Sequence, residues 1–189
     1  MTVDELLAGI RNEDENVRTE TWQASAAMGA VAVPALAELS AEPDLEAARA
    51  AVRGLWAVTR HAGRPDAGGA RAEVAAALIL LTTPEHAEQL RREAIWMLSE
   101  VGGDEAVPVL AGLLSDAALR DDARMALERI PGEVSLAALR EGLATAPDDF
   151  QPNLAHSLRV RGESVPDVPD MRLVPRKPTA VTSAGRIER

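Results

Sequence analysis

Hydrophobic positions recur three and four residues apart along most of this chain, in short segments. Leu136, Leu139 and Leu143 show the spacing, which places apolar side chains on one face of an α-helix. Glycine or proline ends most segments, as at Gly29 and Pro131, because neither residue continues a helix well. The pattern therefore predicts a succession of short helices and no β-strands.

The helical segments also repeat one another. Eight positions recur 29 residues later: Leu90, Arg91, Ala94, Leu98, Val101, Val107, Leu110 and Leu114 match Leu119, Arg120, Ala123, Leu127, Ile130, Leu136, Leu139 and Leu143. A second echo joins Arg18 and Trp22 to Arg92 and Trp96, 74 residues apart. Such self-similarity is typical of solenoids, in which each unit buries its apolar face only against its neighbours. We therefore expect an all-α, right-handed α-solenoid of about five stacked helical hairpins, the last of them incomplete.

Capping residues predict where individual helices begin. Thr2 starts the first helix, because an acidic residue follows three positions later as in a capping box. Asp44 and Asp116 are each expected to begin a later helix. Pro84 is expected in the first turn of a helix that runs to Val101, since proline is tolerated there.

Two segments interrupt the helical pattern. Residues 62–69 contain three glycines and one proline, which predicts a loop. Beyond residue 162 a returning helix is missing, because four prolines lie between Ser164 and Pro178. We therefore expect a solenoid over residues 1–162 and a Pro-rich tail, extended or partly disordered, over residues 163–189.

Composition and charge narrow the possible functions. Aromatic residues make up 2% of the chain and the apolar content is mainly Ala, Leu and Val, which favours close-packed helices. A net charge of −10 argues against binding to nucleic acid or an anionic membrane, because both need a basic surface. Cysteine is absent, which excludes disulfides and thiolate metal sites. Neither a secretory signal nor a long apolar segment is present, so we expect a cytoplasmic protein.

The repeated residues resemble a known family. The motif is carried by Asp14, Val17, Arg18, the segment Ala32-Val33-Pro34-x-Leu36, and the pair Asp116 and Arg120. Over roughly residues 4–162 the chain is similar to HEAT-like repeats of the short bacterial kind, which are related to phycobilisome-lyase repeats. The resemblance implies two layers of helices, with the second helix of each hairpin lining a concave groove, and it implies use as a scaffold.

Two charged pairs have the spacing of ion pairs within a helix. Asp14 and Arg18 lie one turn apart, as do Asp116 and Arg120. We expect each pair to form an exposed ion pair of about 0.3–0.5 kcal/mol that positions the start of its helix.

The larger apolar side chains are interpreted as packing elements. We expect Trp22, Trp56 and Trp96 to fill the space between the helix layers; an exposed ring would instead be a contact for a partner. Ala75 and Ile79 add an apolar stripe to one second helix. We expect this stripe to pack between repeats, with the floor of a binding groove as the alternative.

Residues suited to catalysis or metal binding are few. His61, His86 and His156 do not have the spacing of metal ligands. Adjacent carboxylates such as Asp148 and Asp149 point in different directions on a helix, so they do not converge on one atom. We therefore predict no catalytic, metal-binding or cofactor-binding residue and no enzymatic activity.

These observations favour a non-enzymatic protein–protein interaction module or assembly scaffold whose partner is another protein. Partner contacts are assigned to two cations on the second helices and to the tail: Arg71, Arg140, Val165, Val168, Met171, Arg172, Leu173, Arg176 and Lys177. Because the basic residues of the tail oppose the acidic body, the tail either caps its own solenoid or docks on another molecule.

Two alternatives come from proteins of similar architecture. Some helical-repeat proteins bind DNA or are DNA glycosylases, but these need a basic concave groove. Here the two arginines of the second helices are opposed by Glu38, Glu73 and Glu141. A pigment-lyase-like subunit is the other alternative, and only the repeat itself supports it.

Overall fold

A computed structural model describes residues 1–169 of the chain. These residues form ten α-helices, two 3₁₀ helices (Ser25–Val31 and Asp104–Ala106) and no strand. The α-helices are α1 (Val3–Ile10), α2 (Glu15–Ala24), α3 (Ala32–Leu39), α4 (Leu45–Ala62), α5 (Ala70–Leu80), α6 (Glu88–Val101), α7 (Val107–Leu113), α8 (Arg120–Arg129), α9 (Glu133–Thr145) and α10 (Gln151–Val160). The predicted all-helical fold is confirmed. None of the helices in this part of the chain is long and apolar enough to cross a lipid bilayer.

The helices stack in two layers. In the first layer α2, α4, α6, α8 and α10 pack each against the next, and in the second layer α1 packs on α3, α3 on α5, and α7 on α9. Neighbours across the layers form five antiparallel pairs: α1–α2, α3–α4, α5–α6, α7–α8 and α9–α10. In the sequence repeat α10 opens a further unit, and residues 161–169 contain no returning helix. This arrangement is the predicted α-solenoid.

Side-chain caps begin the first helices as predicted. Thr2 Oγ1 accepts the N–H of Glu5 at 3.1 Å, and Glu5 Oε2 accepts the N–H of Thr2 at 2.7 Å. At the start of α4, Asp44 Oδ1 accepts the N–H of Glu46 at 3.0 Å. These oxygens satisfy backbone N–H groups that have no partner within the helix.

Helix α6 begins at Glu88, four residues later than predicted from Pro84. The intervening residues form turns, in which the N–H of His86 donates to the carbonyl of Thr83 at 3.2 Å. Arg91 Nε donates to the carbonyl of Thr82 at 2.9 Å and holds this turn against the helix. The proline therefore lies in a turn between two helices.

Asp116 and Arg120 act separately and do not form the expected ion pair. Asp116 precedes α8, where its Oδ1 accepts the N–H of Ala118 at 3.0 Å and its Oδ2 pairs with Arg91 at 3.2 Å. Arg120 instead pairs with Asp149 at 2.6 Å, which joins the start of α8 to the turn before α10. Both charges therefore tie one repeat to the next.

The side chain of Arg18 likewise makes no ion pair with the carboxylate of Asp14. Its Nη1 donates to the carbonyls of Asn12 at 2.6 Å and Glu13 at 2.9 Å, while Asp14 Oδ1 caps α2 by accepting the N–H of Asn16. The expected pair is thus replaced by an arginine that fixes the loop before the helix.

The tryptophans bridge successive first-layer helices, where the sequence predicted them between the layers. Trp56 Nε1 on α4 donates to Glu93 Oε2 on α6 at 2.8 Å, and Trp96 Nε1 on α6 donates to Asp122 Oδ1 on α8 at 2.8 Å. Trp96 is 39% exposed, so its ring is also accessible to a partner.

The same bridge is incomplete at α2. Trp22 Nε1 is buried and has no hydrogen-bond partner among residues 1–169. Glu93, the acceptor for Trp56, stands three residues before Trp96, and on α4 the residue three positions before Trp56 is Arg53. A cation cannot accept the indole N–H, which explains why the α2 unit lacks this bond.

An arginine ties α10 to the preceding unit. Arg161 donates to the carbonyls of Ile130 and Gly132, each at 2.8 Å, and so satisfies backbone groups at the end of α8. Val165 packs against the core just beyond it. Gly132 has φ +105°, a conformation that favours glycine, and it turns the chain into α9.

Candidate interaction surface

An open groove of about 980 Å³ lies where α3, α4, α5 and α6 meet. Its apolar lining comes from all four helices and the turn after α5: Val33, Ala37, Ala48, Val52, Ala77, Leu80, Leu81 and Leu90. Leu80 is 66% exposed, although most leucines of the chain are buried. A concave surface of this size with an apolar floor is the usual form of a binding site.

The groove lies where α3 and α5 contact each other only sparsely. α5 packs more extensively on the 3₁₀ helix Ser25–Val31 and on α6 than on α3. The C-terminal ends of α3 and α5 therefore stand apart, and the turn at residues 82–87 forms one rim. The floor is the N-terminal half of α4, whose side chains no second-layer helix covers there.

Charged side chains line the groove: Glu38, Arg49, Arg53, Glu85 and Glu93. Three of these are already engaged, since Glu93 accepts an indole N–H, Glu85 accepts the hydroxyl of Thr83, and Arg49 pairs with a glutamate one turn away on α4. Within the described part of the chain, the side chains of Glu38 and Arg53 form neither a hydrogen bond nor an ion pair. The groove therefore offers one acidic and one basic group on α3 and α4 to a bound molecule.

Arg71 lies at a smaller hollow of about 470 Å³, beside the start of α7. Its Nε donates to the carbonyl of Val101 at 3.0 Å and its Nη2 to the carbonyl of Glu100 at 3.2 Å. The side chain therefore ties α5 to the end of α6, and much of its hydrogen-bonding capacity is used within the chain.

Arg140 is also engaged within the chain. It pairs with Glu163 at 2.8 Å and with Glu133 at 2.5 Å. The hydrogen bonds to Glu163 and then Glu133 raise the pKa of Arg140 above its ordinary value, and the same pairing lowers the pKa of Glu163. Neither of the two predicted cations lines the large groove.

The predicted tail contacts fall partly inside the described residues. Val165 is half-buried against the core, and the carbonyls of Val165 and Val168 both accept hydrogen bonds from Arg159 on α10. The remaining predicted contacts lie outside the described residues: Met171, Arg172, Leu173, Arg176 and Lys177.

The predicted stripe on α5 packs inward. Ala75 is fully buried and Ile79 packs against the core, as expected for contacts between repeats. Ala77 and Leu80, on the next face of the same helix, line the groove instead. The sequence contained one signal for the groove: Leu80 is apolar although it lies outside the apolar stripe of α5. It was overlooked because the neighbouring Ile79 already completes that stripe.

The described residues contain no group of three or more His, Asp or Glu side chains placed to hold a metal ion. Carboxyl groups with a lowered pKa occur at Glu5, Asp121, Asp149 and Glu163. Each of them lies in a helix cap or an ion pair, and none lines the groove. The chemistry of the groove is therefore that of apolar contact and charge pairing.

Comparison with solved structures finds designed helical proteins. Two engineered proteins of the Northeast Structural Genomics Consortium share 21% and 20% identity with this chain, each with a TM-score of 0.43. Both alignments cover 85% of this chain, and they cover 79% and 81% of the engineered chains. A designed armadillo repeat protein shares 11% identity over 84% of this chain and 99% of its own, with a TM-score of 0.31.

No curated protein matches the sequence. A family model described as HEAT repeats matches residues 74–159, which extend from the middle of α5 to the end of α10. The matched segment includes the units in which the 29-residue repeat is clearest. The resemblance seen in the sequence is thereby confirmed over residues 74–159, which are similar to HEAT repeats.

Proposed function

We propose that this protein is a non-enzymatic interaction module that binds a segment of a protein in the groove between α3, α4, α5 and α6. The observation that carries the proposal is the exposure of Leu80 in the apolar lining of the groove. Helical repeats provide rigid, preformed surfaces of this kind, and HEAT repeats commonly use them to bind proteins. A preformed surface lowers the ordering cost of binding.

The energetics favour a bound apolar side chain. Burying a leucine completely stabilises a complex by about 1.5–3 kcal/mol, so covering the exposed two-thirds of Leu80 contributes roughly 1–2 kcal/mol. A partner side chain that fills the groove gains a similar amount. The groove is therefore suited to a short segment with one or two apolar anchors.

Charge supports a protein partner over DNA. Arg71 and Arg140 spend hydrogen bonds within the chain, and Glu38 and Glu85 line the groove. Binding to the phosphate backbone needs several cations on one surface, because affinity comes from the release of counterions. A polypeptide segment needs only a complementary charge beside its apolar anchor.

A photo-crosslinking residue at Ala41, an exposed position on the groove wall, tests the proposal. We expect it to capture a polypeptide in cells that express the protein, and we expect Leu80→Arg in the same chain to abolish capture. Val31→Arg is the matched control, because Val31 is also 66% exposed but does not line the groove. Capture that persists with Leu80→Arg, or no capture at Ala41, would contradict the proposal.

A further inference from the structure

The groove and the chain beyond Pro169 have complementary chemistry. We propose that residues 170–177 of a second copy of this chain occupy the groove, which makes the protein assemble head to tail. The inference rests on the proposed function, since it names the segment that the same groove binds.

The body and the tail carry opposite charge. Residues 170–189 contain five basic and two acidic side chains, so their net charge is +3. The whole chain has a net charge of −10, which leaves −13 on residues 1–169. A tail and a body of opposite sign attract one another at low ionic strength.

The residue types of the tail match the chemistry of the groove. The segment reads Asp170, Met171, Arg172, Leu173, Val174, Pro175, Arg176, Lys177. Its apolar residues suit the apolar lining of the groove, which includes Val52 on the α4 floor and Leu80 on the α5 wall. Asp170 at one end supplies a carboxylate for Arg53, and the cations that follow supply partners for Glu38 and Glu85. Both groove charges that lack a partner in residues 1–169 would then be paired.

The geometry requires a second copy. The carbonyl of Val168 is held by Arg159, so the chain leaves the described body beside α10. From there the floor on α4 is three first-layer helices away, at least about 24 Å when neighbouring helices are 8–10 Å apart. The apolar residues of the segment lie within five residues of Pro169, a span of at most about 17 Å. The tail therefore cannot place them on the α4 floor of its own chain.

Such a contact joins different surfaces of the two copies. Each copy then offers a free groove at one end of the assembly and a free tail at the other, so growth does not stop at a dimer. A segment of eight residues buries less area than a stable dimer interface, and the association is accordingly weak. It should be visible as a mass that rises with concentration.

Two variants with complementary defects provide the test. Leu80→Arg blocks the groove and keeps the tail, whereas Leu173→Arg blocks the tail and keeps the groove. Both introduce the same charge, so the altered groove and the altered tail cannot attract each other. The mass of each full-length variant, alone and mixed, is measured by sedimentation from about 10 µM to about 1 mM.

We expect the wild-type chain to rise above its monomer mass of 20.0 kDa, and each variant alone to stay there. An equimolar mixture of the two should form a complex of two chains and nothing larger, because only one groove and one tail remain competent. Val31→Arg should behave as the wild type. Leu80→Ala, which removes apolar contact without adding charge, should weaken association about fivefold. Circular dichroism should show that all variants are folded.

A wild-type chain that stays monomeric throughout the range, or a mixture that stays monomeric, would overturn the inference. Association that Leu173→Arg leaves unchanged would overturn it as well. The two proposals can fail separately: if Ala41 captures only a different polypeptide, in a Leu80-dependent manner, the groove binds a protein segment but not this tail, so the proposed function stands and this inference fails.

Discussion

Gly9 lets the first two helices approach each other closely. A Cβ atom at this position would lie 2.2 Å from Thr21 Oγ1, a distance that real Cβ atoms do not tolerate. Thr21 is buried and its hydroxyl donates to the carbonyl of Val17 at 2.7 Å, so it cannot easily turn away. Gly112 is the opposite case, because a Cβ there would meet nothing within 4 Å.

These two glycines should respond to the same substitution with opposite signs. Gly9→Ala should lower the free energy of unfolding by about 1–3 kcal/mol, because α1 must move away from α2. Gly112→Ala should raise it by about 0.5–1 kcal/mol, since alanine favours a helix and no clash offsets the gain. Urea denaturation measures both changes, and each variant is the control for the other. Equal effects would contradict the role of close approach at Gly9.

Residue types were predictable from the sequence, but their partners were not. The repeat marks Arg120 as a recurring cation, and spacing along one helix suggested Asp116 as its partner. The structure pairs Arg120 with Asp149, which lies one repeat further along the chain. In a solenoid the first turn of each first-layer helix lies beside the first turn of the equivalent helix in the next unit. A charged side chain there can therefore pair with the next unit instead of with a residue one turn away on its own helix.

At the scale of single helices, the carboxyl groups whose pKa is lowered by an ion pair lie on or beside α8, α9 and α10. Asp149 accepts a hydrogen bond from Arg120, which lowers the pKa of the carboxyl group below its ordinary value of 3.8. The pKa of Glu163 is lowered by Arg140 in the same way. At Asp121 burial raises the pKa, and bonds from Arg124 and Asn153 outweigh that effect, so the pKa is again lowered.

The C-terminal helices should therefore loosen first in acid. A carboxyl group with a depressed pKa in the folded state stabilises the fold above its unfolded pKa, and the stabilisation is lost as the pH falls through the folded pKa. We expect the free energy of unfolding to fall from about pH 5 downward. Asp149→Asn should lower stability at pH 7 and make the fall in acid shallower.

Urea denaturation between pH 7 and pH 3 measures this dependence. Asp148→Asn is the matched control, because Asp148 is the exposed neighbour and forms no ion pair within residues 1–169. An acid dependence that is the same for both variants would contradict the contribution of the Arg120–Asp149 pair.

The sequence predicted which segments form helices, but it did not predict every residue at which a helix begins. The starts at Thr2 and Asp44 follow from local side-chain caps, and the structure contains both caps. At Pro84 the local signal was consistent with a helix or a turn. The turn forms because Arg91 bonds to the carbonyl of Thr82, a contact that exists only once α6 packs in place.

The whole molecule is held together by contacts between neighbours. α10 packs on α8 and α9 and not on the N-terminal helices, so stability is not shared evenly along the chain. Phe150 anchors this end: it is 2% exposed, and the guanidinium of Arg120 lies 4.7 Å from the centre of its ring.

Phe150→Ala should destabilise the C-terminal unit by about 3 kcal/mol and leave the N-terminal unit intact. Hydrogen exchange should accelerate strongly in α10 and measurably in α8, with α2 and α4 unchanged. Phe150→Leu, which keeps most of the buried volume, should show a smaller effect in the same helices. Acceleration of equal size in α2 would mean that the chain unfolds as one unit.

The groove was not predictable from the sequence, because it belongs to no single repeat. Its lining comes from four consecutive helices, α3 to α6, two of which flank the loop at residues 63–69. The 29-residue period describes residues 90–143 well and does not extend across this loop. A repeating sequence pattern predicts only the features that the units share. The candidate site lies at the point where the repeat is interrupted, so the pattern could not predict it.

The indole hydrogen bonds between first-layer helices should make the tryptophan fluorescence of the protein sensitive to bending of the solenoid. Trp56 and Trp96 each hold a carboxylate on the following helix at 2.8 Å, whereas the N–H of Trp22 meets no acceptor in residues 1–169. Bending of the solenoid would lengthen the hydrogen bonds of Trp56 and Trp96. Trp22 has no such bond to lengthen, so its ring serves as an internal reference. Intrinsic fluorescence can therefore follow flexing of the solenoid without an attached dye.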